Sequence, residues 1–368
     1  MIWQPLFAID DFGMTRRRFL GAIAGAAGGA LLGAFAPGGT RGNSRMPTLT
    51  LGRLLMGTAV ESEVNHRDLS ISKSALEDSL ERMVEVDRLM SIFRPGSEIS
   101  LVNRVAAARP VHVGEQTFRV LQEAEAISQR SNGVFDVTVY PLMQLWRASR
   151  AERRLPSPRQ MDAAIARVAW SNLSLNPEGR HVRFRRSEMG IDLGGIAKGY
   201  AVDAAANSLA EAGVESGLVN AGGDLRAIGR NRDGRSWRIG LRHPLAPSRI
   251  LLSVFVEDEA VATSGNYFQY FMIGGRRYGH LLNPLTGMSA DVPLSATVIA
   301  ESAMRADGLA TAAMLHGTEA LTFIQGVAGA EGIVVNPRPQ DPRRVSVQIT
   351  PALRGRVVLL DGSAELER

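Results

Sequence analysis

The sequence predicts an α+β fold, on three observations. Amphipathic helical patterns and short β-rich runs mix along the chain without the repeating strand–helix unit that a doubly wound sheet requires. Beyond residue 213, β character dominates in short runs separated by Gly, Pro and Asn. An apolar content of 45% with 21% charged residues over 368 residues is that of a globular chain, long enough for one large domain or two ordinary ones.

The chain opens on a segment that reads as a targeting signal rather than as part of the fold. Thr15-Arg16-Arg17-Arg18-Phe19-Leu20, followed by the Gly- and Ala-rich run Gly21 to Ala36, has the form of a twin-arginine export signal over residues 1–36. The run is too short and too weakly apolar for a comfortable membrane span, which needs roughly 20 strongly apolar residues. Pro37, directly after Ala36, is a poor context for cleavage, so retention as an uncleaved N-terminal anchor stays open. The expected location is the periplasm. Residues 37–47, made largely of Pro, Gly, Asn, Ser and Arg, read as a linker.

From residue 48 the elements follow in order. Thr48 to Val64 alternates loosely and is expected as an opening strand. Ser74-Ala75-Leu76-Glu77 has the pattern of a capping box, and Leu76, Leu80, Met83, Val84 and Leu89 follow at helical spacing. Thr117 to Ser128 is a second amphipathic helix, ended by Ser131-Asn132-Gly133. Ser157-Pro158 starts a short third, with Met161, Ile165 and Val168 on one face. Ile196 to Ala212 is a fourth, stopped by Gly213. Strands are expected at Leu218 to Asn220, Trp237 to Leu241, Ile250 to Val256, Ala260 to Thr263 and Ser295 to Ala300. A helix over Ser302 to Leu315 precedes a closing strand, Glu331 to Val335. Residues 48–340 are thus expected to form the main domain. Residues 341–368 read as a Pro- and Arg-rich C-terminal extension with one strand, Arg356 to Leu360.

Composition excludes several functions. With no cysteine there is no disulfide, thiolate nucleophile, Cys-ligated metal or N-terminal cysteine to carry a lipid. The net charge of +5 comes without a zinc spacing, an RNA-binding aromatic motif or a basic helix, so a nucleic-acid partner is not expected.

Three places carry chemistry. Only two of the 42 Lys and Arg residues are lysines, Lys73 and Lys198. So strong an arginine bias suggests that Lys198 stands where a compact ammonium is wanted. It follows Gly194-Gly195 at the opening of a helix, where backbone N–H groups and the helix dipole favour an anion such as a phosphate. A solvated lysine after a tight turn is the alternative. Asp307 and Thr311 lie at i and i+4, on one helical face, where a carboxylate and a hydroxyl suit a hard cation such as Mg²⁺. Dipole compensation and packing would equally explain the pair. His280 precedes the turn Asn283-Pro284-Leu285-Thr286-Gly287 at a strand-to-loop boundary, and is either structural or catalytic.

In order, these segments resemble the FAD:protein FMN transferases, the ApbE family. The resemblance runs from about Met56 to Val335. It rests on Met56-Gly57-Thr58, Phe93-Arg94-Pro95-Gly96-Ser97-Glu98 with Asn103, Gly133 to Val139, Pro141-Leu142 with Leu145-Trp146, and Ile191 to Asp203. It continues through Asn220-Ala221-Gly222-Gly223-Asp224, Thr263 to Tyr267, His280 to Gly287 and Ala306 to Thr311. It implies an ApbE-like, T-fold-related mixed sheet with helices, and a flavin site lined by Met56, Phe93, Val134, Phe135, Asp136 and Leu282. Phe93 stands where relatives commonly have Tyr, so stacking remains without a hydroxyl. Asp192 would hold a polar part of the nucleotide and Lys198 would approach its phosphates. The implied metal positions are Gly195, Asp307, Ala310 and Thr311; Gly195 and Ala310 have only carbonyl oxygens to give. His280 is the implied general base, and Asn283 stands where relatives often have Asp.

The implied reaction is Mg²⁺-dependent transfer of FMN from FAD to a Thr or Ser hydroxyl of a partner protein, releasing AMP. The implied partner is an acceptor flavoprotein, a subunit of a membrane redox complex. The export signal without a lipid anchor is similar to the subgroup serving the membrane flavoprotein that supports nitrous oxide reductase. Two other readings stay open: an exported FAD pyrophosphatase, and a flavin-binding assembly factor or electron carrier without transferase activity.

Overall fold

A computed structural model describes residues 46–266, 270–290, 292–341 and 343–367, together with the backbone of residues 31–33. The twin-arginine motif, and the expected signal and linker apart from residues 31–33 and 46–47, lie outside the described residues.

The first strand β1 (Leu31–Gly33) lies on the edge of β2 (Thr48–Leu55), and β2 turns into β3 (Thr58–Asn65). The expected single strand over 48–64 is therefore a hairpin. Met56 and Gly57, both at positive φ (52° and 73°), make the two-residue turn whose twist suits antiparallel strands. Helix α1 (Leu69–Met90) begins five residues before Ser74, because Asp68 caps it through bonds from the Ser70 and Ile71 N–H groups. The Ser74–Glu77 pattern is helix interior. Next come α2 (Glu98–Val105), β4 (Val111–His112), α3 (Glu115–Arg130), α4 (Tyr140–Glu152) and α5 (Pro158–Ile165), the last opened by a Ser157–Gln160 capping box. The hairpin β5 (Leu173–Asn176) and β6 (His181–Phe184) precedes α6 (Ala197–Glu211).

The β-rich half supplies β7 (Gly217–Ala221), β8 (Asp224–Ile228), β9 (Trp237–His243), β10 (Ala246–Val256), β11 (Ala260–Gly265), β12 (Tyr270–Ile273), β13 (Arg276–Gly279) and β14 (Ser295–Ala300). After α7 (Ala303–Leu315) and the short α8 (Ala320–Gln325) come β15 (Ala330–Pro337), β16 (Val345–Ile349), β17 (Val357–Leu359) and β18 (Ala364–Leu366).

Ten strands form the main sheet in the order β1-β2-β3-β7-β8-β11-β14-β15-β16-β18, antiparallel except for the β16–β18 pair. The α+β expectation holds. Helices α1, α6 and α7 cover one face, burying Leu76, Leu80, Val202, Leu209 and Leu309 against Val60, Val219 and Val298. The small sheet β17-β10-β9 covers the other, packing Leu251 and Val254 against Leu225, Val261 and Ile299. The C-terminal residues are no appendage: β16 and β18 extend the main sheet, and β17 joins the small one. A third apolar cluster joins Leu142, Trp146 and Ala164 of α4 and α5 to Ile273 and Tyr278 of the β12–β13 hairpin and to Leu282.

Candidate active site

The site begins at the first turn of α6. Asn103 clamps the backbone just upstream: its Nδ2 donates to the Ile191 carbonyl at 2.9 Å, and its Oδ1 accepts the Ile191 N–H at 2.6 Å. Asp192 Oδ1 then accepts the Gly194 N–H at 2.7 Å, closing the turn over residues 192–194. Burial pushes the Asp192 carboxyl above its ordinary pKa, against the pull of the Gly194 N–H and the Arg147 guanidinium.

Lys198 points into a pair of buried carboxylates. Its ammonium is bonded to Asp224 and lies 3.7 Å from Asp307 Oδ1, while Asp224 and Asp307 are only 2% and 3% exposed. Burial alone would lower the pKa of Lys198, but the two carboxylates outweigh it and hold the ammonium charged. Burial pushes Asp307 up to about 7, Lys198 pulls it down, and Asp224 adds to the rise. Asp307 Oδ2 also accepts the Gly199 N–H at 3.0 Å, so a backbone donor expected to face an anion serves a protein carboxylate. Two ionised carboxylates against one ammonium would give the cluster a net charge of minus one, which a cation would balance.

One helical turn along α7, Thr311 Oγ1 lies 3.2 Å from Ser264 Oγ and 3.5 Å from the Gly195 carbonyl. Gly195 is closely flanked, since a Cβ there would sit 3.3 Å from Thr311 Oγ1 and 3.4 Å from the Phe135 ring. The Gly195 carbonyl, the Thr311 hydroxyl and the Asp307 carboxylate make a set of oxygens on an acidic cluster, which fits a small hard cation. Ala310 is buried and adds no side-chain oxygen.

Folding fixes this arrangement through Asp203, in the middle of α6. Its Oδ1 and Oδ2 accept the Ala303 and Met304 N–H groups, each at 2.8 Å, and Arg226 bonds Oδ1 at 3.0 Å. An aspartate on one helix thus caps the next and sets where Asp307 and Thr311 lie.

The residues expected along the flavin are distributed as follows. Met56 is at the tip of the β2–β3 hairpin, beside the Gly222 turn, where a Cβ would collide with Thr58. Phe93 is 47% exposed, with the Arg147 guanidinium 4.8 Å over its ring. Val134 and Phe135 are buried. Both Asp136 oxygens are already engaged, Oδ1 by the Thr138 N–H and hydroxyl and Oδ2 by the Trp170 N–H, so its carboxylate holds the turn into α4. Leu282 is buried in the α4–α5 cluster, where Trp146 Nε1 also bonds the Gly287 carbonyl at 2.7 Å. His280 is exposed at the start of the loop after β13.

Structure therefore unites Lys198, Gly195, Asp307 and Thr311. It adds three residues that carry no role in the sequence reading: Asp224, Ser264 and Asp203. Asp224 and Ser264 were visible only as members of recurring motifs. Asp203 had a clearer mark, a carboxylate inside an otherwise Ala-rich apolar helix.

Comparison with known proteins gives one consistent result. Residues 56–334 match the ApbE family. An FAD:protein FMN transferase of Vibrio cholerae is 36% identical over 272 residues, covering 71% of this chain and 79% of that protein. One from Salmonella typhimurium is 30% identical over 255 residues, covering 68% and 72%. The crystal structure of the ApbE protein of Thermotoga maritima superposes with a TM-score of 0.75 at 29% identity, covering 84% of this chain and 99% of that one. The flavin transferase ApbE of Vibrio cholerae gives the same TM-score, identity and coverage.

Proposed function

The chain belongs to the ApbE family, and on that premise we propose that it transfers FMN from FAD to a Thr or Ser hydroxyl of a partner protein, releasing AMP, with Mg²⁺ as its metal. The observation that carries this reading is the oxygen-lined acidic cluster around one charged lysine, inside the matched region. Gly195, Asp307 and Thr311 would hold the metal. When bound, Mg²⁺ supplies Lewis-acid polarisation of the pyrophosphate.

The chain's own residues account for the rest. Lys198 stays charged in its carboxylate pair and faces the charge that builds on the phosphoryl oxygens. The acceptor hydroxyl oxygen bonds to the phosphorus on the FMN side of FAD. The P–O bond to the AMP half breaks and AMP leaves with its electron pair. His280, exposed where a protein acceptor can reach it, takes the hydroxyl proton. Phe93, half-exposed with the Arg147 guanidinium over its ring, is the aromatic against which the isoalloxazine would stack. The twin-arginine motif supports action in the periplasm, and the acceptor in this reading is a subunit of a membrane redox complex.

Incubation with FAD, Mg²⁺ and an acceptor should give a fluorescent acceptor band that survives denaturation. FMN and AMP appearing equally fast without acceptor would make the protein a pyrophosphatase; FAD bound and unchanged would make it a carrier. His280→Gln should slow transfer by about 10²–10⁴-fold while FAD still binds. Unaltered transfer, or equal losses of melting temperature and FAD affinity, would remove His280 from the mechanism.

A further inference from the structure

A second charged feature lies outside this site, on the three-stranded sheet β4-β6-β5. Strand alternation turns Val111, Val182 and Phe184 inward and leaves His112, His181 and Arg183 on the outer face, with Ser174 paired opposite Arg183. Arg109 precedes this sheet, Arg180 closes the β5–β6 turn, and Arg185 and Arg186 follow β6, all exposed. Among the described residues, the side chains of these five arginines make no ion pair or hydrogen bond, and the neighbouring acid Glu188 is engaged by Arg167 at 3.2 Å. Glu178 is the one acid in the β5–β6 hairpin. The face carries a shallow groove of about 420 Å³ bordered by Arg183, Arg185 and Arg186, with a neighbouring one of about 310 Å³ beside His181.

We propose that this arginine face docks the protein on an anionic phospholipid surface. Arg183, Arg185 and Arg186 border one groove and Arg109 and Arg180 flank the same small sheet in sequence, and this many unpaired guanidinium groups around one sheet have a field that calls for a polyanion. No large apolar side chain of β4, β5 or β6 is exposed, so the face lacks the aromatic or aliphatic anchor around which stable protein interfaces form. A headgroup layer needs no such anchor: it is a dense, laterally mobile array of phosphates, and clusters of four to eight basic residues recognise it by charge alone. Charge is a route by which the folded body itself, apart from any N-terminal segment, can hold to a bilayer. The inference stands whether or not the transfer reaction proposed above is right.

The test is co-sedimentation of the full chain with phosphatidylcholine vesicles, with and without phosphatidylglycerol. Wild-type protein should sediment with the anionic vesicles and be released by raised salt. Each surface arginine is worth about fivefold in partitioning. R183E, R185E and R186E combined should therefore weaken binding by about 100-fold or more, while melting temperature and FAD binding stay unchanged. An equal charge change at Arg232, Arg235 and Arg343, on other loops, should have a far smaller effect. This variant comparison also separates the face from residues 1–45, which all the proteins share. Equal binding of wild type and the R183E/R185E/R186E variant, or binding indifferent to phosphatidylglycerol, overturns the proposal. So does capture by polyglutamate but not by anionic vesicles, which would assign the face to an acidic protein.

Discussion

Asp307→Ala is expected to abolish FMN transfer while the protein stays folded. The carboxylate is the one anionic oxygen donor among Gly195, Asp307 and Thr311, so its loss leaves a carbonyl and a hydroxyl, too weak a set to hold Mg²⁺ against water. Taking ~4 kcal/mol for the Lewis-acid contribution, at a tenfold change per ~1.36 kcal/mol, transfer falls by about 10³-fold. Stability is affected in two opposing ways. The Gly199 N–H loses its partner, at about 1–3 kcal/mol, but the variant no longer buries a carboxyl that desolvation drives up to about 7. A small change in melting temperature is the expected balance. Transfer rates across a Mg²⁺ titration, alongside a melting curve, check both halves. Full transfer by the variant, or by wild type in excess chelator, would refute the metal assignment.

Gly199→Ala should be the most damaging single methyl in the chain's catalytic half. A Cβ there would lie 2.1 Å from the Ala303 carbonyl oxygen and 2.7 Å from the Met304 Cα. Both are backbone atoms at the start of α7, so no side chain can swing aside. The helices would have to part, breaking the Gly199–Asp307 bond and stretching the two bonds by which Asp203 caps α7. Overpacking costs typically 1–3 kcal/mol, and with backbone on both sides ~3 kcal/mol or more is expected, together with loss of transfer. Gly362→Ala is the control, since a Cβ there meets nothing within 4 Å; it should change stability by less than about 0.5 kcal/mol. If the two variants melt alike, α6 and α7 do not approach as described.

Gly199 also shows what was legible in the sequence and what was not. Glycine near the start of a helix costs about 1 kcal/mol relative to alanine, so something must require it. The requirement, contact with Ala303, spans over one hundred residues and leaves no local trace. The same holds for Asp224, which reads as a turn residue until the sheet brings it to Lys198. Helix α3, with its one apolar face, and α7, apolar almost all round and long enough to be a helix, were readable to within two residues at either end. The start of α1 was misplaced because a real cap at Asp68 lay upstream of a chance Ser–Glu spacing. Strands β5, β6 and β16 were missed because each is only four or five residues long with arginine or proline beside it, and β18 because three residues carry no readable alternation. Recurrent motifs located the site's residues; only three-dimensional pairing showed that Lys198 is held between two acids.

The Asp203 cap has a consequence for how the enzyme spends its time. Because α6 and α7 meet backbone to backbone and one carboxylate ties them together, the lysine, its acids and the threonine hydroxyl take their places when the chain folds. In the proposed reaction, substrate arrival would then require no reorientation of those dipoles and avoid the reorganisation that water would demand at each turnover. Reaction rate and fold integrity are thereby coupled: loosening the α6–α7 contact should blunt the chemistry at temperatures well below global unfolding.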